Sequence, residues 1–132
     1  MKKFTLLIAD RNRNVREFLK RELIAEGFRV RVARNGQEVL KWAYHQDQMD
    51  LVILDEDLPD MNEIPLIETL ADRIPVLPVV IHSFSSDYHN HLPYPGIAAF
   101  VEKSGNSVER LKKVILDVLR NANPNSPDVP LG

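Results

Sequence analysis

The sequence predicts an α/β domain in which a doubly wound parallel sheet carries helices on both faces. Short apolar runs alternate along the chain with segments whose apolar residues recur every three or four positions, the spacing of an amphipathic helix. One run, Leu51–Leu54, has four consecutive apolar residues, which is typical of a strand buried on both faces. Asp55 follows directly, where this strand leaves the sheet. The pattern as a whole predicts a five-stranded parallel sheet.

The composition fits one globular domain of 132 residues, of which 44% are apolar and 27% charged. The 17 basic and 19 acidic side chains give a net charge of −2, which predicts neither nucleic acid nor a membrane as a partner. The absence of cysteine excludes disulfides and thiolate metal sites and fits a reducing cytoplasm. The first apolar stretch ends at Asp10, too early for a signal peptide, and no run approaches the roughly 20 residues of a membrane span. We therefore expect a cytoplasmic protein.

The N-terminal part of the chain predicts two strands and two helices. Phe4–Ala9 is the first strand, and Asn14–Glu26 is the first helix, which ends at Gly27. Apolar residues on one stripe of this helix are predicted to face the core: Val15, Phe18, Leu19 and Leu23. Phe28–Ala33 alternates apolar and polar residues, as an edge strand does. Gln37–Gln46 is the second predicted helix.

The C-terminal part predicts three more strands and two more helices. Leu51–Leu54 is the third strand, Val79–Ser83 the fourth and Ala98–Val101 the fifth. Pro65–Ala71 is a helix between the third and fourth strands, because proline is tolerated in a first helical turn. Ser107–Leu119 is the last helix, with a serine as its N-cap.

Two segments lack a clear pattern. Residues 85–96 are predicted to hold only a short or irregular fourth helix, because two prolines and a glycine close the segment. Residues 121–132 contain three prolines and show no periodicity, which predicts a flexible tail or linker after a domain spanning residues 1–120. His82, inside the fourth strand, is predicted to be a core histidine with satisfied hydrogen bonds.

Polar side chains stand at the ends of four predicted strands. Asp10 follows the first strand, Asp55 follows the third, and Ser83 ends the fourth. Lys103 comes just after the fifth. Because parallel strands end at the same edge of a sheet, these four side chains are expected to lie together. Taken alone, Asp55 could be a cation ligand, a nucleophile or only a polar strand end.

This set of residues resembles the receiver domain of two-component response regulators. Members of that family carry an acidic pair after the first strand, an aspartate after the third, Thr or Ser after the fourth, and Lys after the fifth. The resemblance extends from Phe4 to Leu119 and includes Pro59, at a position where the family often has proline. It implies a flavodoxin-like sheet with strand order 2-1-3-4-5 and a signalling role rather than an enzymatic one. No Gly-rich phosphate loop follows the first strand, which weighs against a cofactor-binding α/β enzyme.

The resemblance also implies the chemistry of the site. Asp55 would accept a phosphoryl group from a histidine kinase or a phosphotransfer protein. Mg²⁺ would be bound by Asp10, Asp55 and the backbone carbonyl of Asp57. Ser83 and Lys103 would bind oxygens of the phosphoryl group.

An output face is implied in the same way. Phe100 matches the aromatic position that, in the family, changes rotamer together with the hydroxyl residue, here Ser83. The sequence equally allows Phe100 to be an ordinary core residue. The family's output face comprises the fourth and fifth strands and the last helix, so an output protein of unknown identity is expected to bind there. Whether the chain forms a homodimer stays open.

Arg11 departs from the family pattern, because it stands at the second position of the acidic pair, which usually coordinates the metal. Arginine replaces a negative ligand with a positive group that does not deprotonate. If its side chain points inward, it could pair with Asp10 or Asp55 and fill the cation position. If it points outward, Mg²⁺ binding would be weakened but retained. The alternative function is therefore a pseudo-receiver, a protein-interaction module that works without phosphorylation.

Overall fold

A computed structural model of the chain describes residues 3–45, 48–61, 63, 65–84, 96–127 and 129. Its strands are β1 (Thr5–Ala9), β2 (Arg29–Ala33), β3 (Leu51–Leu54), β4 (Val79–Ser83) and β5 (Ile97–Glu102). The helices in the described part are α1 (Arg13–Ala25), α2 (Gly36–Ala43), α3 (Leu66–Ala71) and α4 (Ser107–Ala122). The strands form one parallel sheet in the order β2-β1-β3-β4-β5. The predicted fold class and strand order are confirmed.

The neighbouring interior strands β1 and β3 are buried along their whole length. They pair in register, with Leu6 opposite Leu51. One hydrophobic core lies between the sheet and helices α1 and α4, and a second lies between the sheet and helices α2 and α3. Alternate side chains of a strand point to opposite faces, so Leu51 and Ile53 enter the first core, and Val52 and Leu54 enter the second. An uninterrupted apolar run in β3 is what a strand between two cores requires.

Helix α1 differs from its prediction on one face. It begins after Asn12, whose side-chain oxygen accepts hydrogen bonds from the next helical N–H groups. Leu19 and Leu23 are buried in the core as predicted, but Phe18 is 41% exposed. The prediction that Phe18 faces the core is wrong, because it lies on the flank of the stripe that Leu19 and Leu23 define, beside a surface cleft.

Helix α2 runs over Gly36–Ala43 rather than the predicted Gln37–Gln46. It begins after Asn35, whose side-chain oxygen accepts a 2.9 Å hydrogen bond from the backbone N–H of Glu38. The Asp60 carboxylate accepts further hydrogen bonds from the backbone N–H groups of Gly36, at 2.6 Å, and Gln37, at 3.1 Å. At the other end, the carbonyl of Ala43 accepts a 2.6 Å hydrogen bond from the Arg73 guanidinium. Both helix ends therefore gain partners from residues far away in the sequence, in addition to the local cap.

The last helix and the residues after it also differ from their prediction. Helix α4 runs to Ala122, past the predicted domain end at residue 120. The Asn123 side-chain amide donates a 2.9 Å hydrogen bond to the carbonyl of Leu119. Val129 is 7% exposed and packs into the core between the sheet and helices α1 and α4.

Residues 85–95, where the short fourth helix was predicted, lie outside the described part of the chain. Strand β5 is one residue longer at each end than the predicted Ala98–Val101. In the part of the chain that the structure describes, no helix is long and apolar enough to cross a membrane.

Replacing Gly27 with alanine is expected to lower the free energy of unfolding by about 1 kcal/mol. The reason is that Gly27 ends α1 with φ of +97°, which an L side chain adopts only with strain. Gly105→Ala is the matched control, because Gly105 has no positive φ and no atom within 4 Å of an added Cβ. Urea denaturation measures both variants, and equal stability of the two would contradict this account of the helix end.

Candidate functional site

Three charged side chains meet at the carboxyl edge of the sheet. Asp10 follows β1, Asp55 follows β3, and Lys103 follows β5. The Lys103 ammonium nitrogen lies 2.8 Å from Asp10 Oδ2 and 3.6 Å from Asp55 Oδ1. The exposed fractions of these side chains are only 9%, 3% and 1% for Lys103, Asp10 and Asp55. The structure thus forms a buried cluster of two carboxylates and one cation from residues that are distant in sequence.

Backbone N–H groups fix the orientation of both carboxylates. Asp10 Oδ1 accepts a 2.8 Å hydrogen bond from the backbone N–H of Asn12. Asp55 Oδ1 accepts one of 3.0 Å from the N–H of Asp57, and Asp55 Oδ2 accepts one of 3.4 Å from the N–H of Arg11. These contacts hold both carboxylates in place and leave Asp10 Oδ2 facing Lys103.

The Arg11 side chain points outward, which is one of the two arrangements that the sequence left open. The residue is exposed, and its hydrogen bond to Asp55 comes from the backbone N–H rather than from the guanidinium. Lys103 is the cation that contacts both carboxylates. The Arg11 guanidinium therefore does not take the position beside the two carboxylates that the Lys103 ammonium group holds.

Burial raises the pKa of the Asp10 carboxyl above its ordinary value of 3.8. The hydrogen bonds from Lys103 and from the Asn12 backbone act in the opposite direction, and the Asp55 charge adds to the rise. With both acids ionised, the cluster of Asp10, Asp55 and Lys103 carries one excess negative charge. A second cation would be attracted to such a site.

Ser83 and Phe100 lie near the cluster on neighbouring strands. Ser83 is 3% exposed at the end of β4, and its carbonyl accepts a 2.8 Å hydrogen bond from the backbone N–H of Lys103. Phe100 stands opposite Ile81 in the sheet and packs at the border of the α2 and α3 core. Because Ile81 and Ser83 share a sheet face, so do Ser83 and Phe100. Both alternatives for Phe100, core residue and switch partner, fit this half-buried position.

Comparison with known protein families shows which family the chain belongs to. The family model for the response regulator receiver domain matches residues 6–116. The chain belongs to this family. This match confirms the resemblance that was predicted from the residues at the strand ends. Receiver domains are regulatory signalling modules.

Two curated response regulators illustrate the relationship. Response regulator GtcR of Aneurinibacillus migulanus is 30% identical over 127 residues, which cover 94% of this chain and 51% of GtcR. The DNA-binding transcriptional regulator NtrC of Proteus hauseri is 31% identical over 87 residues, which cover 66% of this chain and 18% of NtrC. The chain therefore spans between about a fifth and about half of the length of these relatives.

Solved receiver structures share the fold. Response regulator TrrA of Thermotoga maritima, in complex with Mg²⁺ and BeF, has a TM-score of 0.77 and 29% identity, covering 87% of this chain and 98% of TrrA. The signal receiver domain of an HD domain-containing protein from Pseudomonas fluorescens Pf-5 has a TM-score of 0.81 at 16% identity, covering 94% of this chain and all of that one. The second likeness shows the fold alone.

Sequence reasoning missed two aromatic features of this receiver. Phe84, which directly follows Ser83, is 69% exposed, yet its ring centroid lies 5.2 Å from the Lys103 ammonium nitrogen. A cleft of about 470 Å³ opens beside Lys103 and is lined by Phe84, Phe18 and His82. A large apolar residue next to the predicted hydroxyl position was the available signal for Phe84.

The donor atoms at the site fit a magnesium ion with reduced protein coordination. In the described ranges, no group of three His, Cys, Asp or Glu side chains is arranged to hold a metal. Asp10 and Asp55 supply two buried carboxylates. One or two carboxylates with several waters are a common environment for Mg²⁺.

Proposed function

We propose that this receiver accepts a phosphoryl group on Asp55 from a histidine kinase or a phosphotransfer protein. The observation that carries the proposal is the cluster around Asp55. This carboxylate is buried at the end of β3, held by two backbone N–H groups, and 3.6 Å from the Lys103 ammonium nitrogen. Phosphoryl transfer needs a positioned nucleophile and neutralisation of the transferred charge, and Asp55 and Lys103 would supply them.

In the proposed step, an Asp55 oxygen bonds to the phosphorus of a phosphohistidine. The bond between phosphorus and the imidazole nitrogen breaks, and its electron pair stays on that nitrogen. Lys103 would stabilise the negative charge on the phosphoryl oxygens, and the Ser83 hydroxyl would donate a hydrogen bond to one of them. Mg²⁺, when bound by Asp10, Asp55 and the carbonyl of Asp57, would supply further positive charge.

The expected output is a protein contact. Strands β4 and β5 and helix α4 form the face proposed to bind the output protein, whose identity stays open, as does homodimer formation. The two curated relatives are longer than this chain, so a covalently linked output domain is compatible with the proposal. We expect the protein to act in the cytoplasm.

A pseudo-receiver is the second candidate, and Arg11 is the observation that favours it. The family's metal-binding acid is missing here, and Lys103 already contacts Asp10 at 2.8 Å. In this alternative the ion pair is permanent, and the output face is presented without phosphorylation.

Incubation with Mg²⁺ and acetyl phosphate is expected to add one phosphoryl group to the wild-type protein, as read by intact mass. Asp55→Asn is expected to abolish the gain because it removes the nucleophile. Asp57→Asn is the matched control, since it keeps the backbone carbonyl and changes only a side chain. Loss of the gain in both variants, or in neither, would contradict the assignment of Asp55.

Arg11→Asp separates the two candidates. Restoring a third carboxylate is expected to raise the apparent Mg²⁺ affinity in this assay by about tenfold. A protein that is phosphorylated only after this substitution is a pseudo-receiver in its natural form. Absence of phosphorylation in both proteins would contradict the proposed function.

A further inference from the structure

Phe84 contacts the site but has no part in the proposed phosphoryl transfer. It directly follows Ser83 at the end of β4, and 69% of it is exposed. Its ring centroid lies 5.2 Å from the ammonium nitrogen of Lys103. The residue belongs to neither hydrophobic core, so core packing does not explain its position.

Lys103 is more enclosed than lysines usually are, with 9% of its side chain exposed. Carboxylate oxygens of Asp10 and Asp55 lie 2.8 Å and 3.6 Å from its ammonium nitrogen, and the ring of Phe84 is a third neighbour. The attraction between a cation and an aromatic face is larger when water is excluded from the cation. The Phe84 ring therefore lies beside an ammonium group that is already largely shielded from solvent.

We propose that Phe84 is a gate residue that shields Lys103 and the adjoining Asp55 from solvent and so prolongs the life of the phosphorylated state. The consequence for lifetime rests on the proposed function, whereas the shielding of Lys103 does not. The cleft beside the site is lined by both Phe84 and Lys103, so the ring stands where solvent approaches the ammonium group. Asp55 lies deeper, at 1% exposure.

The step that the gate would slow is hydrolysis of the acyl phosphate. The oxygen of a water molecule bonds to phosphorus, and the bond between phosphorus and the Asp55 oxygen breaks. The electron pair of that bond returns to the Asp55 carboxylate, and the protons of water pass to the released phosphate and to solvent. Phe84 touches none of the reacting atoms, so it is a positioning residue that acts through Lys103 and through solvent access.

Three variants isolate the contact. Phe84→Ala removes the ring, and Phe84→Tyr keeps it. Phe18→Ala is the matched control, because Phe18 is also exposed and lines the same cleft, while its ring packs against Arg21 rather than Lys103. Since Phe84 is mostly exposed, its removal is expected to leave the fold intact, which the thermal unfolding midpoint checks.

Amine labelling tests the shielding without any phosphodonor. The proteins are treated with formaldehyde and a mild borohydride reagent, and methylation of Lys103 is quantified by peptide mass spectrometry. Phe84→Ala is expected to increase the labelling rate about fivefold, whereas Phe84→Tyr and Phe18→Ala stay near wild type. An unchanged rate in Phe84→Ala would overturn the proposal.

Decay of the phosphorylated protein tests the consequence. After treatment with acetyl phosphate and Mg²⁺ and removal of the donor, Phe84→Ala is expected to lose its phosphoryl group about fivefold faster than Phe18→Ala. Faster labelling with unchanged decay overturns the gating of hydrolysis. If even the wild type takes up no phosphoryl group, the proposed function fails, and labelling alone then decides whether Phe84 shields Lys103.

Discussion

Replacing Lys103 with methionine is expected to lower the free energy of unfolding at pH 7 by about 3 kcal/mol or more, because breaking a buried ion pair leaves uncompensated charge. The Lys103 ammonium group contacts the carboxylates of both Asp10 and Asp55, which are 3% and 1% exposed. The variant is also expected to lose phosphoryl transfer, since Lys103 is the positive side chain in the cluster.

The loss of stability in Lys103→Met is expected to depend on pH. Burial already raises the pKa of Asp10 above 3.8, and removal of the lysine eliminates a contact that lowers it. A carboxyl with a raised folded pKa stabilises the fold below its unfolded pKa and loses that contribution as pH rises through the folded pKa. The difference between wild type and variant should therefore be largest at pH 7 and shrink toward pH 4.

Lys112→Met is the matched control for this experiment. Lys112 also contacts carboxylates, Glu22 and Glu26 at 3.2 Å each, but on the partly exposed surface between α1 and α4. Its loss is expected to cost about 1 kcal/mol or less. Urea denaturation at pH 7 and pH 5 measures the free energy of unfolding of the wild type and of both variants. Equal losses in the two variants at pH 7 would contradict the account of Lys103 as the cation that neutralises a buried acidic pair.

His82 is expected to make the fold sensitive to acid. Burial lowers its pKa from 6.5 to about 4, and the Lys103 charge acts in the same direction. Its Nε2 lies 3.2 Å from Ser107 Oγ, whereas Nδ1 has no hydrogen-bond partner among the described residues. The unfolded chain therefore binds a proton near pH 6.5, while the folded protein binds it only near pH 4. The contribution of neutral His82 to the free energy of unfolding is therefore fully present above pH 6.5. It falls by up to about 3 kcal/mol as the pH drops to 4.

His82→Leu tests this expectation, because leucine fills much of the same volume and does not titrate. Between pH 7 and pH 4.5, its free energy of unfolding should fall less than that of the wild type. His45→Leu is the control, since His45 is exposed. A wild-type slope retained in His82→Leu would contradict the assignment of a buried neutral histidine.

The charged residues of the candidate site could be predicted from the sequence because each one follows a strand. Alternation of strands and helices predicted a parallel sheet, and a parallel sheet brings Asp10, Asp55 and Lys103 to one edge whatever the details of the helices. The most informative segment was Leu51–Leu54. Its four apolar residues indicate the central strand, and the acid that follows them indicates the end of that strand where the site lies.

The features that the sequence did not predict depend on contacts between distant residues. The first N–H of helix α2, at Gly36, donates a hydrogen bond to Asp60, which is 24 positions away. Phe18 has the spacing of a core residue, but Leu19 and Leu23 already fill the buried stripe. The backbone N–H of Arg11 donates a hydrogen bond to Asp55, 44 positions away, a contact that local patterns do not encode.

The central claim, that Asp55 receives the phosphoryl group, is tested most directly by chemical trapping. Borohydride reduces an aspartyl phosphate to homoserine but leaves free aspartate unchanged. After incubation with acetyl phosphate and Mg²⁺, peptide mass spectrometry should find homoserine at position 55, with Asp10 and Asp57 intact. Homoserine at another acidic position, or at none, would contradict the claim.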